Sequence, residues 1–264
     1  EGEYKWMNPK GMVPGTVDFY NGERHGMYEI FYDSGKLKIR GFYDNGDLTG
    51  DWRWYYPDGS VETEGQYDDK GNRDGLWKWY YENGKLESDG EYDAGSRTGA
   101  FTYYNENGTV RFIRYYINGG VQGYSYHGKD GKPVPMIEMP NETGKIVAYY
   151  PNGKKSIEQS FEKGYREGRS VLYYENGNIF SDKVFLDDDI DGERKVYYED
   201  GTLKETGVYL YDAKNGKFSF YNEAGKLIRE EFYLMGERHG NWKYYDENGS
   251  VTKVEKYRYD ELYD

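Results

Sequence analysis

The chain has no cysteine, which excludes a disulfide framework and any thiolate metal site. Large apolar residues other than Tyr and Trp are scarce: Leu, Ile, Val and Phe together make only 45 of 264 residues. No apolar run approaches the ~20 residues that a membrane-crossing helix needs. There are three histidines, His25, His127 and His239, and none lies in a motif that would complete a catalytic triad. No glycine-rich loop precedes a helical pattern, so a phosphate cradle is missing as well. The 35 Lys and Arg are outnumbered by 48 Asp and Glu, a net charge of −13. That balance argues against nucleic acid and against anionic membrane surfaces, which both need clustered bases. A basic or uncharged partner would approach such a chain more readily. Together these absences imply a non-enzymatic protein with no cofactor and no metal site.

Low aliphatic content and high charge are by themselves the profile of a disordered chain. The aromatics point the other way, with 33 Tyr, 11 Phe and 6 Trp. Each can bury roughly 150–250 Å² and still show a polar tip to water. A thin sheet can therefore be held together without an aliphatic core, and the mean hydropathy of −1.08 then means a large wet surface.

What the chain does contain is a repeat. A glycine recurs from Gly2 through Gly26, Gly50, Gly75, Gly99, Gly123, Gly144 and Gly168 to Gly192, Gly216 and Gly240, and eight of the ten steps are 24 residues. Ten of these glycines have another nine residues on, as in Gly35, Gly59 and Gly84. A fixed period of this length marks small units that stack on their neighbours. Within a unit, Gly50-Asp51-Trp52-Arg53-Trp54-Tyr55-Tyr56 alternates and reads as a strand. Pro57-Asp58-Gly59 is a hairpin turn, because glycine tolerates positive φ. Val61 to Tyr67 is the return strand. Aromatics fill the slot of Tyr55 in nearly every unit and the slot of Tyr67 in ten of them, from Phe19 and Tyr43 to Tyr257.

The expected fold is all-β: an elongated single-sheet array of about eleven antiparallel β-hairpin repeats of ~24 residues. At roughly 4.8 Å per strand, such a sheet would run about 100 Å along its arc. Residues 1–122 hold five regular repeats, 123–143 a degenerate central one and 144–264 five more, in one continuous repeat domain. In the degenerate unit the period falls to 21 residues and Pro133, Pro135 and Pro140 appear. Proline cannot donate to a ladder, so its return strand should be an edge, a bulge or a loop. That unit is either a hinge or partner-specific insertion around His127 to Met139, or a decayed repeat that only bends the sheet.

The candidate partner-binding residues are Trp52, Trp54, Trp77 and Trp79, extended by Tyr56 and Tyr81. Residues two apart on a strand share a face, and equivalent strands lie about 10 Å apart, so the four tryptophans could form one plateau. Tryptophan is enriched at interface hot spots and stacks on sugars and cations. The competing reading is a buried stripe, since Tyr28, Phe101, Phe218 and Trp242 occupy the slot of Trp52. Asp187, Asp189 and Asp191 begin like a calcium loop, but the pattern fails at Tyr198, where a bidentate glutamate is required.

The run from Gly75 through Trp77, Trp79, Tyr80 and Tyr81 to Gly84 and Leu86 resembles the bacterial variant of the MORN repeat. The turns Gly22-Glu23-Arg24-His25-Gly26 and Gly236 to Gly240 are similar to its Gly-Lys-Arg-His-Gly segment. The likeness covers essentially the whole chain. Proteins built this way carry the label of YwqK-like antitoxins, so the resemblance implies a protein that binds a toxin-like partner and neutralises it. A looser resemblance, to choline- and glucan-binding wall repeats, implies instead a cell-surface carbohydrate-binding array, although the period of those repeats is nearer twenty. The chain opens at Glu1 without methionine, which favours a removed leader and an exported or cell-envelope location over the cytoplasm.

Overall fold

A computed structural model describes residues 2–6 and 15–263, so the first unit's Gly11 and Val13 lie outside the described residues. The chain divides into two compact units, one ending at Tyr124 and one beginning at Ser125. In the first, β1 (Gly2–Trp6), β2 (Gly15–Tyr20), β3 (Glu23–Phe31), β4 (Leu37–Asp44), β5 (Asp47–Tyr55) and β6 (Val61–Tyr67) lie side by side in sequence order. They continue through β7 (Arg73–Tyr80), β8 (Leu86–Asp93), β9 (Ser96–Tyr104) and β10 (Val110–Ile117) to β11 (Gly120–Ser125). In the second, strands again follow sequence order from Gly144–Tyr149 to Glu261–Tyr263. Neighbouring strands pair antiparallel, as the hairpin spacing requires.

The meander thus forms two sheets, where one continuous sheet was expected. The reason lies in the unit with the prolines. Its hairpin turn survives, with the Gly128 amide donating to the Lys132 carbonyl at 2.9 Å and the Gly131 amide to the Gly128 carbonyl at 2.9 Å. Its return strand does not. Pro133 and Pro135 bring no N–H, and only β12 (Ile137–Glu138) remains before a short 3-10 turn at Pro140–Glu142.

Two kinds of turn alternate. At the hairpin end, the Tyr56 amide donates to the Ser60 carbonyl and the Gly59 amide to the Tyr56 carbonyl, at 2.8 and 2.9 Å. Gly59 stands at φ +100° and the register slips between Trp54 and Tyr55. This is a four-residue turn closed by a glycine bulge, which explains the glycine nine residues after each leading one. At the other end most units use a two-residue turn with both φ positive, as at Asn45 (+48°) and Gly46 (+93°). That is the turn whose twist suits consecutive strands.

From Asn45–Gly46 on, the two-residue turns also bond back to the strand that leaves the preceding turn. The Gly46 amide donates to the Arg24 carbonyl, Gly95 to Arg73, Gly119 to Arg97 and Gly236 to Lys214, all at 2.8–2.9 Å. Repeats are therefore joined by hydrogen bonds outside the strand ladders.

One face of the first sheet carries the aromatics. Strand alternation places Tyr28, Tyr43, Trp52, Tyr67, Trp77, Tyr92 and Phe101 on it. Successive rings meet edge to face, with centroids 5.2 Å apart for Tyr67–Trp77 and 5.5 Å for Tyr92–Phe101, a favoured aromatic geometry. Beneath the large rings lie glycines. A Cβ at Gly65 would stand 2.2 Å from the Trp77 ring, one at Gly41 2.1 Å from Trp52, and one at Gly90 2.3 Å from Phe101. Gly207 seats Phe218 in the same way in the second unit, at 2.3 Å. The missing side chain is what lets a ring descend onto the neighbouring backbone and bury itself in a single layer.

Gly65 lies in a strand and outside the left-handed region, so alanine there meets no left-handed strain, and its methyl collides with the Trp77 ring. Gly65→Ala should cost about 1–3 kcal/mol, the range for overpacking a close-packed site. Urea unfolding measures it, and an unchanged midpoint would contradict the seat.

Candidate interaction face

The candidate residues fall into three environments. Trp52 and Trp77 are 3% and 0% exposed. Each is held over its glycine and tied by its indole N–H to backbone, Trp52 to the Thr49 carbonyl at 3.2 Å and Trp77 to Gln66 at 3.0 Å. The expected open plateau of four tryptophans is corrected on this point, because these two rings are withdrawn from solvent. Trp54 and Trp79 are half-buried and keep a surface. The four are nonetheless one contiguous cluster, with Trp52–Trp54 at 5.8 Å, Trp54–Trp77 at 5.9 Å and Trp77–Trp79 at 6.2 Å.

Tyr56 and Tyr81 do different work. Each begins a hairpin turn and donates its hydroxyl to the next unit's backbone, Tyr56 to the Tyr80 carbonyl at 2.6 Å and Tyr81 to Tyr104 at 2.8 Å. Tyr32, Tyr150, Tyr174 and Tyr198 do the same, to Tyr55, Tyr173, Tyr197 and Tyr221. This tyrosine ladder is a second line of bonds between repeats. The sequence signal for it was the paired Tyr-Tyr before the turn, of which only the first tyrosine is a strand residue. Burial outweighs the nearby Arg111 and pushes the Tyr81 phenol up to about 12.

Cations complete the aromatic face. Arg73 stacks on Trp77 with its guanidinium carbon 4.3 Å from the ring centre and also lies 5.9 Å from Trp79. Arg24 lies 4.9 Å from Tyr43 and Arg97 5.3 Å from Phe101. Their Nη1 groups donate to the hydroxyls of Tyr43, Tyr92 and Tyr116 at 3.0–3.2 Å. Stacking of this kind is worth about 0.5–2 kcal/mol each, depending on desolvation. It gives the arginine of the turn segment a structural purpose that its spacing alone did not reveal.

The register makes this face electrostatically distinct. Across β3 to β10 its charged side chains are Arg24, Arg73, Arg97 and Arg114, with no carboxylate among the described residues. The opposite face holds the acids, including Glu29, Glu64 and Asp89. There Arg40 pairs with Glu29 at 2.7 Å and Arg53 with Glu64 at 3.1 Å, while Tyr80 donates to Glu64 at 2.8 Å. Burial and that carboxylate push the Tyr80 phenol up to about 12. In the second unit Lys145 and Lys155 both bond Glu158 and hold its carboxyl down at about 2. A shallow hollow of about 280 Å³ on the acidic face is lined by Asp51, Arg53, Glu64, Gln66, Leu76 and Lys78.

Of the aspartates that begin like a calcium loop, Asp187 lies in a two-residue turn and Asp189 and Asp191 on the strand Asp189–Tyr197, and it is the turn's other residue that is engaged in the fold. Asp188 pairs with Arg166 at 2.8 Å and also accepts that residue's amide, and the neighbouring turn's Asp212 accepts the Ile190 amide at 2.6 Å. No helix among the described residues is long and apolar enough to cross a membrane.

The family model described as MORN repeat variant matches nine segments, residues 24–45, 48–69, 73–94, 97–118, 142–163, 166–187, 190–211, 214–234 and 238–259. Each of the first four runs from the start of one unit's first strand to the end of its return strand. A search of curated proteins finds no match.

A phenol whose ionisation is postponed by burial stabilises the fold fully below pH 10, its unfolded value. That contribution is lost as pH rises through about 12 for Tyr81. Tyr81→Phe should therefore remove one late-ionising phenol from the absorbance titration at 295 nm. It should also cost about 1 kcal/mol at neutral pH, from the lost bond to Tyr104. A variant with unaltered stability and titration would contradict the ladder.

Proposed function

Because the chain belongs to the MORN repeat variant family, whose repeats are non-enzymatic interaction modules, we propose that it binds a protein partner through the aromatic face of its first unit. The observation that carries this reading is the half-exposed pair Trp54 and Trp79, backed by the buried Trp52 and Trp77. Such a pair is already ordered, so binding it costs little side-chain entropy. Large aromatic rings in well-packed surroundings are also where interface energy concentrates. The resemblance to YwqK-like antitoxins gives this reading its most specific form, a module that covers and neutralises a toxin. The net charge of −13 favours a basic partner for the acidic face, where Asp51, Glu64 and Leu76 line an open hollow.

The test is affinity capture from source-cell extract, comparing the chain with its Trp54→Ala/Trp79→Ala variant. Circular dichroism checks that the variant folds. One stoichiometric protein, lost or bound at least ~tenfold more weakly by the variant, is the expected result for a hot-spot pair. Equal capture by both would remove the aromatic pair from the interface. Enrichment of glycans in place of a protein would support the carbohydrate-binding array instead.

A further inference from the structure

The two units solve one problem in different ways. In the second unit, Arg166 stacks 4.1 Å from Phe185 and Arg238 4.5 Å from Tyr257. Both are also paired. Arg166 Nε donates to Asp188 Oδ1 at 2.8 Å and Arg238 Nε to Asp260 Oδ1 at 3.1 Å, and each Nη2 bonds the same aspartate's carbonyl. The aspartates sit at the second position of the two-residue turn, 22 residues after each arginine, with φ of +75° and +66°. In the first unit that position is glycine: Gly46 for Arg24, Gly95 for Arg73 and Gly119 for Arg97. Arg24 and Arg97 are exposed and Arg73 half-buried, and among the described residues none forms an ion pair with a carboxylate.

We propose that Arg73 and Arg97 bind carboxylate side chains of an extended, acidic segment of a protein partner. The proposal rests on the aromatic face of the first unit being the contact surface. Its charge is complementary to such a segment, since this face of β3 to β10 carries arginines and no acid in a chain whose net charge is −13. A guanidinium stacked on an aromatic keeps the N–H edge that recognises carboxylate, and Asp188 and Asp260 show this chain using that edge. Spacing selects the form of the ligand. Arg73 and Arg97 occupy equivalent strands two steps apart, about 9.6 Å at ~4.8 Å per strand, and three residues of a polyproline II segment, one full turn, rise about 9.3 Å and bring the side chain back to the same side. An acid at every third residue, running across the strands, meets both arginines, and Trp79, against Arg73, lies beside that path.

The test is selection of random twelve-residue peptides on the full chain, followed by titration of an enriched peptide and its Glu→Gln counterpart. Two double variants are compared. Arg73→Gln/Arg97→Gln removes the guanidinium groups. Gly95→Asp/Gly119→Asp keeps them and supplies each with the internal aspartate that Arg166 has. A Cβ at Gly119 meets nothing within 4 Å and one at Gly95 only Asn72 at 3.5 Å, and aspartate already adopts this backbone at positions 188 and 260.

The expected outcome is enrichment of Asp or Glu three residues apart, with binding at least ~tenfold weaker in both variants and falling with salt. Basic or uncharged consensus peptides, or affinity unchanged in both variants, would overturn the proposal. So would arginine-dependent binding of a uronic-acid oligosaccharide with no binding of the acidic peptide. Uncharged peptides that lose affinity only in Trp54→Ala/Trp79→Ala would sink this inference and leave the interaction reading standing. Acidic peptides indifferent to both the tryptophans and the arginines would sink both.

Discussion

An aromatic ring lowered onto a glycine of the neighbouring strand is the contact on which this fold depends. A sheet built from hairpins alone has no second layer to bury its side chains against. Trp52, Trp77, Phe101 and Phe218 are nevertheless 0–3% exposed. They reach that burial because Gly41, Gly65, Gly90 and Gly207 leave the space beneath them open, while flanking tyrosines close the sides edge-on. Depth is replaced by close approach. The cost is the glycine itself, which loses more backbone freedom on folding than any other residue. The tyrosine hydroxyls along one edge and the turn amides along the other offset it by tying each unit to the next.

From that contact follows the separation of the two faces in the first unit. Rings pave one side and leave room there only for cations that stack on them. Carboxylates are displaced to the other side, where they pair across strands or receive tyrosine hydroxyls. Net charge, an average over both sides, therefore describes neither. It anticipates a basic partner for the whole chain, whereas the ring-bearing face holds arginines without acids.

Much of the fold was legible in the sequence. Period 24 and the Asp-Gly signal located the hairpins, and glycine at positive φ is a local requirement that sequence displays directly. The division into two sheets was foreshadowed by Pro133 and Pro135, but sequence did not say whether the meander would survive them. The candidate face was only half legible. Trp52 and Trp54 share a strand face and look alike in sequence, yet one is seated on Gly41 and the other has no such seat. A signal was present: ring and glycine are separated by 11 or 12 residues in Gly41–Trp52, Gly65–Trp77, Gly90–Phe101 and Gly207–Phe218. Where Gln159 and Lys183 replace that glycine, Ser170 and Arg194 replace the ring. The place of Tyr56 and Tyr81 was hidden for another reason. Their partners are backbone carbonyls 23 or 24 residues on, and a carbonyl leaves no mark in composition.

The most direct test of this account is collisional quenching of tryptophan fluorescence by iodide and by caesium, in a variant lacking Trp6 and Trp242. Emission then comes from the cluster of four, of which Trp54 and Trp79 keep a surface. A polarised sheet predicts that iodide quenches more strongly than caesium despite the net charge of −13, and that Arg73→Gln/Arg97→Gln abolishes the preference. Stronger quenching by caesium, as the net charge alone would dictate, would contradict a cationic aromatic face.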